Sequence, residues 1–206
     1  MITIIDYGMG NLGSVANMIK KVGGQSIITS EKDIINNAKK ILLPGVGSFD
    51  NAMINLKNLD LLDILNNKVL IERIPIMGIC LGMQLLTNGS DEGSEIGLSY
   101  IDAYTKKFDF EQIEENLPIP HMGWNKTSLE KESKLYYNNE DKNRRFYFVH
   151  SYAVECNNKD DILTTTEYGY QFVSSFEKDN IIGCQFHPEK SHKFGMKLFK
   201  NFVEKY

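Results

Sequence analysis

Three short stretches of this chain carry side chains that can act together in chemistry: "GICLG" around Cys80, "HPE" at His187, Pro188 and Glu189, and "PGVG" at 44–47. Cys80 follows an apolar run and stands between Gly78 and Gly82. That is the form of a nucleophile elbow, where a strand turns sharply into a helix and flanking glycines let the backbones pack closely. A free thiol has a pKa of about 8.5, and a helix amino terminus favours its thiolate. The plainer alternative is an inert core cysteine whose glycines merely pack well. His187 supplies a candidate base. In an extended segment Glu189, two residues on, faces the same side and can orient the imidazole while its other nitrogen meets a thiol. A lone strand-end histidine beside a surface carboxylate is the alternative, but an elbow and a clamp on strand ends of one sheet favour a Cys80, His187, Glu189 triad. Gly45, Val46 and Gly47 could present consecutive backbone N–H groups to a developing oxyanion, together with the N–H of Leu81. By itself this stretch reads better as a plain glycine turn.

Positioning these residues requires a sheet. The first six residues read as a buried strand, and Leu12, Val15, Ala16, Ile19 and Val22 then recur at helical spacing until Gly23 and Gly24. Strands over 26–29, 41–43 and 74–79 and helices over 31–38 and 50–67 continue the alternation, which implies a parallel sheet covered on both faces. From Leu98 the pattern changes to aromatic and β-branched segments, "YIDAYTKKF", "RFYFVHSYAV", "DILTTTEYGYQFVSSFE" and "NIIGCQFHPEK". These read as further strands, some antiparallel, closed by a helix over 191–206 that carries Leu198, Phe199, Phe202 and Val203. The expected fold is α/β: a single domain over 1–206 with a mostly parallel, mixed central sheet flanked by helices, plus antiparallel strands in the C-terminal half.

The 206 residues suit one core, and a net charge of −4 gives no reason to expect nucleic acid or an acidic membrane surface as a partner. Cys80, Cys156 and Cys184 are too few and too irregularly spaced for a disulfide framework or a paired zinc motif, so a reducing cytoplasmic compartment is expected. "MITIIDYG" is not a signal peptide, and no apolar run is long enough to cross a bilayer. The charged stretches 126–134 and 138–145 read as solvated loops. His121 and His150 have no carboxylate at clamp spacing and read as supporting or interface residues, while His192 is placed at the exposed start of the last helix. A metal held by His187, Glu189 and His192 is conceivable, but the spacing is ordinary and the triad uses two of them, so neither metal nor cofactor is expected. Cys156 and Cys184 read as small buried hydrophobes, and Met77 and Met83 as core filler. With no G-x-x-x-x-G-K loop and no convincing dinucleotide fingerprint, the chain has no visible acceptor site.

Taken as a set, these motifs resemble the class I (triad) glutamine amidotransferases: G-x-C-x-G-x-Q at 78–84, H-P-E at 187–189 and the oxyanion strand at 44–47. "DYGMGNLGS", "LPGVGSF", "HMGWN", "YFVHSY" and "QFHPEKS" narrow the resemblance, over essentially the whole chain, to the glutaminase subunits of imidazole glycerol phosphate synthases.

The resemblance implies that Cys80 attacks the side-chain amide of L-glutamine, that His187 protonates the departing ammonia, and that water then hydrolyses the glutamyl thioester. Glu189 orients His187. The implied oxyanion donors are the backbone of Val46 or Gly47 and of Leu81, with a flip of the peptide before Gly47 coupling hydrolysis to the partner's occupancy. Implied substrate contacts are Gly45, Gln84, Glu92 and the backbone of Ser151 and Tyr152. Asn11, Trp124 and Tyr147 are implied to face the partner, although Trp124 could equally be a core anchor and Tyr147 a strand aromatic. That partner is a (β/α)8-barrel cyclase forming a heterodimer with this chain and making imidazole glycerol phosphate in histidine biosynthesis. The segment "EKSHKFGMKLFKNF" is similar to a paralogous branch that supplies ammonia to sugar amidotransferases of surface-polysaccharide or nonulosonic-acid pathways. A stand-alone γ-glutamyl hydrolase is a further alternative, and would turn over fully without a partner.

Overall fold

β-branched runs alternating with amphipathic helices build four parallel strands: β1 (Ile2–Ile5), β2 (Ser26–Thr29), β3 (Ile41–Gly45) and β4 (Ile76–Cys80). They are linked through α1 (Leu12–Lys21), α2 (Lys32–Asn36), α3 (Phe49–Asn58) and α4 (Leu62–Asn66). Every residue of β1, β3 and β4 is buried, as expected of strands covered on both faces, whereas the edge strand β2 is only partly covered. The computed structural model describes residues 1–111, 117–137 and 143–206. After β4 come α5 (Leu81–Leu85), β5 (Ala103–Lys107), β6 (His121–Lys126), β7 (Ser128–Leu129), β8 (Arg145–His150) and β9 (Tyr152–Cys156). The chain ends with β10 (Ile162–Tyr168), β11 (Tyr170–Lys178), β12 (Ile181–Cys184) and α6 (His192–Lys205).

The main sheet runs β2-β1-β3-β4-β12-β11-β10-β7, with β9 joining β11 and carrying β5, while β6 and β8 form a separate antiparallel ribbon. The last strand, β12, lies parallel to β4, pairing Cys184 with Ile79, and on β4's other side Gly45 of β3 pairs with Cys80. Three neighbouring strands therefore deliver the three chemistry-bearing motifs to one carboxyl edge, where α/β sheets bind ligands. Alternation along each strand divides the core between the two faces: Ile5, Leu43 and Phe49 pack on one, Ile4, Leu42, Phe146 and Phe199 on the other.

The structure corrects three details of the sequence reading. The helix expected over 50–67 is two helices, broken at Asp60, whose φ of 50° is the left-handed conformation that Asp tolerates better than most residues. "RFYFVHSYAV" is not one strand: β8 pairs with β6, and β9, after Ser151, pairs with β5 and β11. Nor is 126–134 simply a solvated loop, since Lys126 ends β6 and Ser128 and Leu129 pair with β10. Of the second charged stretch, residues 138–142 lie outside the described residues.

Candidate active site

Cys80 ends β4 with φ 54° and ψ −111°, a backbone conformation that costs a side-chain-bearing residue on the order of 1–3 kcal/mol and concentrates at functional sites. The flanking glycines make it possible. A Cβ on Gly78 would stand 2.4 Å from the Gly82 carbonyl oxygen, and one on Gly82 only 1.7 Å from that of Leu43. The elbow inferred from residue spacing is thus a physical necessity of the packing. The thiol is 7% exposed. It donates to the Val149 carbonyl at 3.9 Å and accepts from Gln185 Nε2 at 3.8 Å.

His187 and Glu189 meet as expected, but by a different local geometry. β12 ends at Cys184, and the segment Pro188–Lys190 is a 3-10 turn opened by the proline, so a turn rather than an extended strand brings the carboxylate back to the ring. Glu189 Oε1 lies 2.7 Å from His187 Nδ1, with both side chains almost fully buried. Nδ1 therefore carries the proton and Nε2 is turned toward the thiol, with no fully formed hydrogen bond of its own. Burial opposes a charged ring, but the Cys80 sulfur and the Glu189 carboxylate outweigh it and push the His187 pKa up to about 10. Ser191 holds the loop: its Oγ donates to the His187 carbonyl at 2.6 Å and accepts from the Tyr147 N–H at 3.0 Å.

A cavity of about 260 Å³ opens over these groups, lined by Val46, Gly47, Cys80, Leu81, Gln84, Glu92, Ser151, Tyr152 and His187 among others. All but two of the expected site residues at this edge line it. Glu189 stands behind His187 and does not line the cavity, and Gly45 is buried. A Cβ on it would stand 2.4 Å from Tyr7 Oη, a hydroxyl that donates to the Pro44 carbonyl at 2.7 Å, so this glycine serves packing. Gly47 has φ 129°, and the first N–H groups of α5, beginning with Leu81, have no acceptor within their helix. Glu92 accepts from the Phe49 N–H at 2.9 Å, so the carboxylate tethers the start of α3 to the cavity wall. Pro120, Val149 and His150 also line the cavity, and Gln185 lies behind the thiol; sequence reasoning had assigned none of them a place there.

His121 and His150 face each other across the β6/β8 ribbon, Nδ1 to Nε2 at 3.1 Å, both buried among Phe108, Phe148 and Phe172. Burial lowers their pKa values to about 4 and about 3. Folding thus favours the neutral rings. The stability this contributes is complete above the unfolded value of about 6.5 and is lost as pH falls through the folded values. A series of urea midpoints should fall between pH 6.5 and 4, and less steeply in a His121→Phe, His150→Phe double variant.

On the same ribbon Trp124 is paired with Tyr147 and is 42% exposed, so it is not a core anchor. It stacks on His192 with ring centroids 5.3 Å apart, and His192 is exposed at the start of α6, as the sequence implied. Asn11 is exposed and caps α1, accepting from the Ser14 N–H at 3.2 Å. Met77, Met83 and Cys184 are fully buried, whereas Cys156 is only partly so, and burial raises both thiols, Cys156 to about 12. Among the described residues no three His, Cys, Asp or Glu side chains are grouped as a metal ion would require, and no helix is long and apolar enough to cross a membrane.

Comparison with known proteins gives the family and the fold. The family model described as glutamine amidotransferase class-I matches residues 3–206. A curated protein of Methanococcus maripaludis, imidazole glycerol phosphate synthase subunit HisH 2, is 57% identical over 204 residues, covering 99% of each chain. The HisH 2 subunit of Pseudomonas aeruginosa is 47% identical, again over 99% of each chain. Among solved structures, PurLQS from Thermotoga maritima has the same fold at a TM-score of 0.71 and 15% identity, over 98% of this chain and 96% of that one.

Proposed function

The chain belongs to the class I glutamine amidotransferases, and on that premise we propose that it is the glutaminase subunit of an imidazole glycerol phosphate synthase, acting in histidine biosynthesis through Cys80, His187 and Glu189. The observation that carries this reading is Cys80 held at an elbow, facing a histidine already clamped by a buried carboxylate, at the wall of a cavity sized for one small amino acid. Cys80 Sγ attacks the side-chain carbonyl carbon of L-glutamine, and the N–H of Leu81 with that of Val46 or Gly47 receives the oxyanion. His187 takes the thiol proton and gives it to the departing nitrogen, releasing ammonia and leaving a glutamyl thioester. Water then attacks the thioester with His187 as base, yielding glutamate and the free thiol. Glu92 is the group for the substrate's α-amino end, Gln84 and the backbone of Ser151 and Tyr152 for the remainder. The whole of 1–206 serves as one glutaminase domain in the cytoplasm.

Ammonia released to water is protonated and lost as a nucleophile, so a partner must cover the exit. The exposed Trp124, its strand partner Tyr147, and Asn11 are the residues assigned to meet that partner, a (β/α)8-barrel cyclase in a heterodimer. A second acceptor is favoured by the segment "EKSHKFGMKLFKNF", which is similar to the branch that supplies ammonia to sugar amidotransferases with every triad residue kept. Glutamine hydrolysis measured on the isolated chain, then with a cyclase subunit and with a sugar amidotransferase from the same organism, decides the matter. Ammonia release that rises only on docking of the cyclase is the expected result. A rise with the sugar enzyme alone transfers the chain to the second pathway, and full turnover without any partner identifies a stand-alone hydrolase.

A further inference from the structure

Asn125, His121, His150, the Tyr152 carbonyl, Gln84 and Gln185 form a connected set of hydrogen bonds from the β6/β8 ribbon to the Cys80 sulfur, and every donor and acceptor along it is determined. At its outer end Asn125 Oδ1 accepts from the Lys126 N–H at 2.8 Å, and Nδ2 donates to the Glu167 carbonyl at 2.8 Å. Nδ2 therefore also faces His121 Nε2, at 3.3 Å, and that ring nitrogen must accept. A neutral imidazole has one donor, so His121 Nδ1 carries the proton and donates to His150 Nε2 at 3.1 Å. His150 Nδ1 then holds the remaining proton, and it meets the Tyr152 carbonyl, an obligatory acceptor, at 2.7 Å.

The assignment can be run from the inner end with the same result, since the Tyr152 carbonyl forces His150 Nδ1 to be the donor. The second lone pair of that carbonyl receives Gln84 Nε2 at 3.4 Å, whose other hydrogen goes to Gln185 Oε1 at 3.1 Å. Gln185 Nε2 is left to donate to Cys80 Sγ at 3.8 Å. Gln84, Gln185, His121 and His150 are all buried. A proton added to His150 Nε2 would set N–H against N–H within the pair, and one added to His121 Nε2 would set N–H against the Asn125 amide.

We propose that this network, whose two arms meet at the Tyr152 carbonyl, positions the Cys80 sulfur, with Gln185 as the residue that touches the reacting atom and stabilises its thiolate, and with His150, His121 and Asn125 as positioning residues that fix the Tyr152 carbonyl and, through Gln84, Gln185. The inference rests on the assignment of Cys80 as the nucleophile. The network begins at Asn125, beside Trp124 on the ribbon assigned to the partner, so a change there has a hydrogen-bonded route to the thiol.

The test is the rate at which Cys80 of the full chain is alkylated by iodoacetamide, followed by peptide mass spectrometry so that Cys156 and Cys184 are counted separately. His150→Gln keeps an amide near the Nε2 position but loses the bond to Tyr152, and Gln185→Leu removes the donor to sulfur. Each should slow alkylation by about tenfold, the worth of one buried hydrogen bond to a charged group. His150→Asn, which keeps a donor near the Nδ1 position, should recover most of that loss. The double variant His150→Gln, Gln185→Leu should be no slower than either single one, because both cut the same line. Additive losses, or no recovery in His150→Asn, overturn the proposal. Nitrogen NMR of the unsubstituted protein gives an independent reading: both rings must show the neutral form protonated at Nδ1, and any other form at either ring overturns the relay whether or not the chain hydrolyses glutamine.

Discussion

Replacing Cys80 with alanine is expected to lower glutamine-dependent product formation by the complex by at least about 10⁴-fold, while synthesis fed with added ammonia stays within about twofold of the parent. Cys80 supplies the only sulfur among the cavity-lining residues. Without it no thioester forms, and His187 is left to activate water against an unactivated amide. In the proposed function the acceptor chemistry belongs to the partner and sees only ammonia, so it should survive. The substitution removes one atom from a side chain that is 7% exposed and leaves the elbow glycines in place, so thermal denaturation should show a folded protein. Parallel assays with glutamine and with ammonium salt at fixed pH separate the two activities. A glutamine reaction that persists would remove Cys80 from its role. Loss of both activities would point to failed assembly with the partner.

The strands that deliver the triad were legible because their signals are local. Ile4 and Ile5, or Leu42 and Leu43, are simply apolar in sequence, and a short run buried on both faces leaves few other placements in an alternating pattern. Boundaries set by single backbone conformations were not legible. Nothing in "NLDLLD" marks Asp60, rather than a neighbour, as the residue that turns left-handed and splits the helix. The break between β8 and β9 was hidden for a related reason. "FVHSYAV" is uniformly strand-like, and the two halves separate only because each finds a different partner strand.

The site shows the same division. Cys80, His187 and Glu189 could be named from types and spacing, since the flanking glycines and the two-residue separation report geometry directly. The reason first given for the clamp was nevertheless incomplete, because Pro188 starts a turn, and the turn rather than strand periodicity closes the 2.7 Å contact. Gln185 and the His121/His150 pair carried no local signal. Their roles arise from bonds between residues 29 and 105 positions apart, which only the assembled sheet and ribbon bring together. Gly45 is the converse, a glycine whose neighbours in sequence line the cavity while it serves the packing beneath.

Gly82→Ala should be the most destabilising single methyl addition at the elbow, costing more than about 4 kcal/mol and lowering the melting temperature by roughly 10 °C or more. The added Cβ would lie 1.7 Å from the Leu43 carbonyl oxygen and 2.8 Å from its carbon. Both are backbone atoms in the centre of a buried strand, so no rotamer change relieves the clash, and α5 must move away from β3. That movement also separates Leu81 from Val46 and Gly47, so whatever fraction remains folded should hydrolyse glutamine poorly even with Cys80 and His187 intact. Gly13→Ala provides the contrast. It lies in α1 with nothing within 4 Å of its would-be Cβ, and alanine there should be neutral or stabilising by up to about 1 kcal/mol. Urea and thermal midpoints of the two variants against the parent measure the difference. If Gly82→Ala falls within 1 kcal/mol of the parent, close backbone approach is not what fixes the elbow, and the left-handed conformation of Cys80 must have its cause elsewhere.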